Sequence, residues 1–174
     1  MKRPNLKQVA AFLPLVALIL LAAVFAGKSL WRDTQVETHA MVGKRLPAVM
    51  LAGLNGEPAQ AVKVGDGPYL INFFASWCPP CIVEHPQLMA LQARGVPIVG
   101  VAYKDEPAKS QGFLEQRGNP FAVVLVDRDG RAGMEFGVTG PPETYLISSD
   151  GIILAKHIGE LDEKAARTLL SQAR

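Results

Sequence analysis

The sequence predicts an α/β domain: a central mixed sheet flanked by helices, with an N-terminal β extension and a single N-terminal membrane helix. Three observations lead there. Apolar runs of strand length alternate with helical stretches from Tyr69 to Val126. A hairpin-like pair and one amphipathic helix then close the chain. An uncharged apolar run fills Val9 to Gly27 at the other end. The chain has 174 residues and a net charge of +2, and Lys2, Arg3 and Lys7 supply more than all of it. The remainder is slightly acidic, which leaves no electrostatic footprint for nucleic acid.

From the N-terminus, residues 1–8 read as a cytoplasmic segment and 9–27 as a transmembrane anchor. A helix of that length spans about 28 Å, close to the hydrocarbon thickness of a bilayer. Pro14 is tolerable inside such a helix, and the basic cluster before it holds the N-terminus on the cytoplasmic side. The alternative is a cleavable signal peptide, with Val24-Phe25-Ala26 as the cleavage motif. Either way the domain crosses to the side where disulfides form, which in a bacterium is the periplasmic face of the inner membrane.

Residues 28–40 are polar and read as a linker, and 41–174 as one domain large enough to bury its own core. Within it, Val42 to Val64 predicts a hairpin-like extension turning at Asn55-Gly56. Tyr69 to Phe74 is a nearly continuous apolar strand, suited to a sheet covered on both faces. Ile82 to Arg94 reads as a helix stopped by Gly95, and Val96 to Val101 as the next strand. Lys104 to Arg117 reads as a helix closed by Gly118, and Phe121 to Val126 as a strand ending in the turn Asp127-Arg128-Asp129-Gly130. Glu143 to Ile147 and Gly151 to His157 form the hairpin pair. Asp162 caps a last helix whose Leu161, Ala165, Leu169 and Leu170 share a face.

The chemistry centres on Cys78 and Cys81, the only two cysteines. Closing a loop this short restricts the unfolded chain by only about 2 kcal/mol, against about 4.7 for a hundred-residue loop. The spacing suits thiol exchange better than stapling: one thiolate attacks a disulfide, and the other, a helical turn away, resolves the mixed disulfide. A zinc site would need further ligands, but His39, His85 and His157 are scattered singly. A c-type haem site would need a histidine after Cys81, where Ile82 stands.

Strand, Trp77-Cys78-Pro79-Pro80-Cys81, then helix resembles the thioredoxin arrangement, with Pro86 inside the helix and Pro141-Pro142 before a later strand. The segments Asn72 to His85, Gly100 to Asp105, Gly118 to Phe121 and Gly137 to Ile147 resemble one branch in particular. This is the membrane-tethered thiol:disulfide interchange proteins of cytochrome c biogenesis, the CcmG/DsbE type. The resemblance implies a thioredoxin-like fold and a protein-disulfide reductase. Cys78 would be the exposed nucleophile, its thiolate favoured by the helix N-terminus, and Cys81 the more buried resolving thiol. Because Pro79 and Pro80 lack N–H groups, the Cys81 N–H is the expected local donor to the Cys78 sulfur.

Thioredoxins carry a buried aspartate where this chain has Asn72, which cannot titrate. Attention therefore moves to Glu84, three residues after Cys81, and to Glu143, after the expected cis-proline, as proton acceptors. Trp77, Pro141 and Pro142 are the expected substrate-facing residues, and His85 is expected at the surface. Pro141 has no N–H to offer a substrate strand, so Pro141→Ala is expected to preserve or tighten substrate trapping. No cofactor or metal is implied. The implied partners are apocytochrome c, through its C-x-x-C-H segment, or a thiol-carrying maturation protein, with a membrane thiol reductant as electron donor. A general periplasmic dithiol oxidase or isomerase and a non-catalytic assembly module remain as alternatives. A thiol peroxidase is disfavoured by Ala75, where a Thr or Ser is wanted.

Overall fold

The structure, a computed structural model, describes residues 41–173 together with Leu18, Leu20 and Leu21. The chain separates into two compact units, Met1–Val36 and Glu37–Arg174. In the first, the three described leucines are helical and exposed. The expected cytoplasmic segment 1–8, anchor 9–27 and linker 28–40 otherwise lie outside the described residues. Among the described residues no helix is long and apolar enough to cross a membrane.

The second unit is built on a seven-stranded sheet. Its strands are β1 (Met50–Gly53), β2 (Gln60–Ala61), β3 (Tyr69–Phe74), β4 (Ile98–Tyr103), β5 (Val123–Asp127), β6 (Glu143–Ile147) and β7 (Ile153–Ile158). Their order is β2-β1-β5-β4-β3-β6-β7. β3, β4 and β5 are parallel and the other pairings antiparallel, so the sheet is mixed as expected. The helices are α1 (Pro79–Ala93), α2 (Pro107–Arg117), α3 (Arg131–Phe136) and α4 (Glu163–Leu170). The N-terminal extension is the expected hairpin, β1 on β2, with Gly56 at φ +85° in its turn, a conformation that favours glycine.

Strands β4, β5 and β7 lie one or two residues later than the sequence expectation, and three helix starts differ from it. α1 starts at Pro79 rather than Ile82, because prolines fit the first helical turn, where their missing N–H groups cost nothing. α2 starts at Pro107 rather than Lys104, since Asp105 turns its carboxylate back onto Ser76 instead of entering the helix. The segment after Asp127 continues past the expected turn into α3, whose first turn is held by Asp127 itself. Its carboxylate accepts from Ala132 N (3.1 Å) and Gly133 N (2.8 Å).

β3 is buried on both faces, so its alternating side chains divide the interior in two. Leu70 and Phe74 join Cys78, Cys81, Leu88 and Leu91 on the α1 side. Ile71 and Phe73 join Val101, Phe136, Tyr145 and Ile147 on the other. Gly100 in β4 leaves room for the Phe121 ring, which an added Cβ would meet at 2.6 Å, and Phe121 stacks on Phe74 at 4.9 Å. At one end of the sheet the exits of β3, β4 and β7 and the entry to β6 come together, because Phe74 pairs with Ala102, Phe73 with Glu143, and Glu143 with Ile158.

Candidate active site

That end carries the cysteines. β3 runs out through Ala75 and Ser76, and the chain turns into α1 with Cys78 as its N-cap residue. Cys78 and Cys81 form a disulfide with Cα atoms 5.3 Å apart. The Cys81 N–H donates to the Cys78 sulfur at 3.2 Å, the donor expected after two prolines. Both cysteines are 2 % exposed, so Cys78 is not the exposed member of the pair in this disulfide state. Packing into the core of Phe74 and Leu88 accounts for that. Trp77, by contrast, is 55 % exposed. Its indole N–H donates to Lys104 O at 3.2 Å, which lays the ring beside the loop after β4.

That loop fixes the approach to Cys78. Asp105 is buried and accepts from Ser76 N (2.7 Å), Ser76 Oγ (2.9 Å), Glu106 N (2.9 Å) and Ser110 Oγ (2.7 Å). Lys104, before it, adopts φ +47°, the left-handed region. One carboxylate thus ties β3, the loop after β4 and α2 together beside the disulfide.

Glu84 lies one turn along α1 from Cys81, on the face turned to the sheet, and is buried. It accepts from Asn72 Nδ2 at 2.9 Å and from Leu161 N at 2.9 Å. Burial pushes its pKa up to about 7, and the two donors only partly oppose that. Asn72 also donates to Thr144 Oγ1 at 3.1 Å, and its own Oδ1 has no partner. Asn72, Thr144 and Glu84 therefore form the polar floor under the cysteine-bearing turn.

Glu143 is placed differently from the expectation that it reaches the cysteines from the other side. It pairs with Phe73 and shares a strand face with Tyr145 and Ile147, which puts its side chain on the opposite face from the disulfide. There it is 0 % exposed and 2.8 Å from Lys156 Nζ. Pro141 and Pro142, joined by a cis peptide bond, directly precede it in the loop that enters β6. Gly159 N donates to Pro142 O at 2.9 Å, tying that loop to the exit of β7. His85 is buried, not at the surface. Its ring donates from Nε2 to Gly118 O at 3.0 Å and packs edge-on against Phe113. It joins α1 to α2 and has no place among the reacting groups.

Residues 41–170 match the Redoxin family. The thiol:disulfide interchange protein DsbE of Pseudomonas aeruginosa is 39% identical over 169 residues, 95% of this chain and 93% of that protein. The chain belongs to the Redoxin family, among the DsbE-type thiol:disulfide interchange proteins. DsbE of Escherichia coli K12 is 37% identical over 171 residues, covering 91% of this chain and 90% of its own. Among solved structures, a thioredoxin family thiol:disulfide interchange protein from Chlorobium tepidum TLS superposes with a TM-score of 0.60 at 25% identity, over 74% of this chain and 94% of that one. A secreted Mycobacterium tuberculosis disulfide oxidoreductase gives 0.62 at 22% identity, over 71% and 95%, a likeness of fold. This Redoxin domain is a thiol-disulfide oxidoreductase with Cys78–Cys81 as its redox pair.

Several residues of the site were not singled out from sequence. Lys156 gave one signal, a lysine inside a largely apolar strand. Thr139 and Tyr145 fell within a family-like segment and the Leu161 N–H gave no signal, but the roles of all three depend on which loops the sheet brings together. Asp105 fell within a family-like segment, but its bond to Ser76 crosses 29 positions.

Proposed function

We propose that this chain is a reductant of cytochrome c biogenesis, held at the inner membrane by residues 9–27 with its domain on the periplasmic side. The observation that carries the chemistry is a buried Glu84, near-neutral in pKa, one helical turn beneath Cys81. In the reduced protein the Cys78 thiolate attacks one sulfur of a partner's disulfide. A mixed disulfide forms and the partner's second sulfur leaves as thiolate, to be protonated. Cys81 gives its proton to Glu84, and the Cys81 thiolate attacks the Cys78 sulfur. The Cys78–Cys81 disulfide closes and the partner departs with both sulfurs reduced. A proton acceptor poised near the working pH suits that step.

The substrate in this reading is the C-x-x-C-H segment of an apocytochrome c or a maturation protein that carries its thiols, and a membrane thiol reductant restores the dithiol. The apolar N-terminal run, the basic residues before it and the likeness to DsbE proteins support it. Cys81→Ser, expressed in cells, tests it by leaving the mixed disulfide unresolved. Trapping of an apocytochrome or maturation factor is expected, and a random spread of secreted proteins counts against it. The dithiol should also sit toward the thioredoxin end of the range, about −270 mV, rather than the oxidising end near −120 mV.

A further inference from the structure

The loop that carries Pro141 and Pro142 is held from behind, by charge. Lys156 in β7 stands opposite Tyr145 in β6, on the sheet face away from the cysteines, with its side chain 2 % exposed. Its Nζ donates to Gly137 O at 2.8 Å and lies 2.8 Å from Glu143 Oε2. Glu143 Oε1 accepts from Thr139 N (2.8 Å), from Thr139 Oγ1 and from Gly140 N (3.4 Å). The Tyr145 hydroxyl lies 2.9 Å from Glu143 Oε2 and 3.1 Å from Phe136 O, its one proton shared between them.

The loop from Gly137 to Pro142 has few handles. Pro141 and Pro142 have no N–H, and Gly137 and Val138 donate back to Met134 O and Gly133 O. The last two N–H groups before the prolines both go to Glu143. Stability alone does not account for a buried ion pair here, because desolvating two charges offsets most of their attraction and apolar replacements are often neutral or better. A Met and a Leu in these places would fill the volume but leave Gly137 O, Thr139 N and Gly140 N without partners.

We propose that Lys156 and Glu143 are positioning residues that fix the Pro141–Pro142 loop for docking the backbone of a polypeptide disulfide. The pair sets affinity for protein substrates and leaves the reactivity of the sulfurs alone. The inference rests on the thiol-disulfide activity of this chain.

The test uses the full chain, the wild type reducing two oxidised substrates: a C-x-x-C-H peptide disulfide and 2-hydroxyethyl disulfide, too small to span the loop. For Lys156→Met, KM for the peptide should rise about tenfold, the scale of one lost buried hydrogen bond. Its kcat and the rate with the small disulfide should hold within about twofold. Glu143→Gln alone should raise KM as well, because its amide turns N–H groups toward either the Lys156 ammonium or the loop donors.

The two substitutions together should raise KM by about tenfold, no further than Lys156→Met alone, because Gly137 O lacks its donor in both. The Gln oxygen then accepts from Thr139 and Gly140, its NH2 faces Tyr145, and no cation opposes it. A double variant impaired well beyond Lys156→Met alone, or unable to fold, overturns the proposal, since without the cation a neutral acceptor at 143 should hold Thr139 and Gly140 as the carboxylate does. So does an unchanged peptide KM in the folded variants, or a parallel loss with the small disulfide, which would put Glu143 on the reacting atoms. Wild type that reduces neither disulfide would instead sink the activity itself.

Discussion

Glu84 performs two jobs that pull against each other. Its carboxylate joins Asn72 in β3 to Leu161 before α4, and burial lifts its pKa from the ordinary 4.5 to about 7. A raised acid pKa has a defined consequence for stability. Between pH 4.5 and 7 the unfolded chain has released this proton while the folded one keeps it, so stability falls as pH rises, by about 1.4 kcal/mol per pH unit. The penalty reaches about 3 kcal/mol near pH 7 and is constant above it. Urea unfolding of the oxidised protein at several pH values should show that decline, and Glu84→Gln should flatten it. The same variant should slow resolution of the mixed disulfide by about a hundredfold, the usual scale for loss of an acid-base group. It should also remove the inflection near pH 7 from the rate. Stopped-flow release of a trapped peptide measures both. Asn72 suits a neighbour that changes protonation. Its Nδ2 donates to ionised Glu84, and a turned amide would accept from the protonated acid through the now unpartnered Oδ1.

At the scale of elements, three aspartates fix turns and helix starts of the domain. Asp105 holds the turn between β3 and α1, and Asp127 starts α3. Asp162 caps α4 by accepting from Ala165 N at 2.7 Å. Asp105→Ala strands four donors, one of them the fully buried Ser110 hydroxyl. We expect a loss of about 2–4 kcal/mol in urea unfolding, with Trp77 fluorescence shifting as the turn loosens. Asp105→Asn should fall between. Much of this architecture was legible: β3, the two-cysteine turn, the terminal hairpin and the Asp162 cap follow from residue type and period. α3 was not, because six residues offer no apolar period and its cap comes from the end of a strand. Nor was the face of Glu143. Residues 143–147 are buried on both sides, so no polar alternation reveals which way the glutamate points until the register with Phe73 is known.

For the whole molecule, the disulfide contributes little to holding the fold. It closes a loop of four residues, while both cores are assembled by side chains from every strand of the parallel centre. Oxidised and reduced forms should differ by about 2 kcal/mol or less in chemical unfolding, and a larger gap would mean that reduction loosens the domain. The burial of Cys78 itself lay beyond the sequence, since a helix N-terminus next to two prolines reads as exposed until Phe74 and Leu88 are seen packed around it.

The sheet also acts as a partition. Glu84, Asn72 and the sulfurs lie on one side; Lys156, Glu143 and Tyr145 lie on the other, under the loop. Groups separated by a packed sheet share no partners, so substitutions on one side need not be matched on the other. A lineage can then change which polypeptide it accepts by redrawing the rear pair while its electron chemistry drifts little, and can retune its proton acceptor without losing its clients.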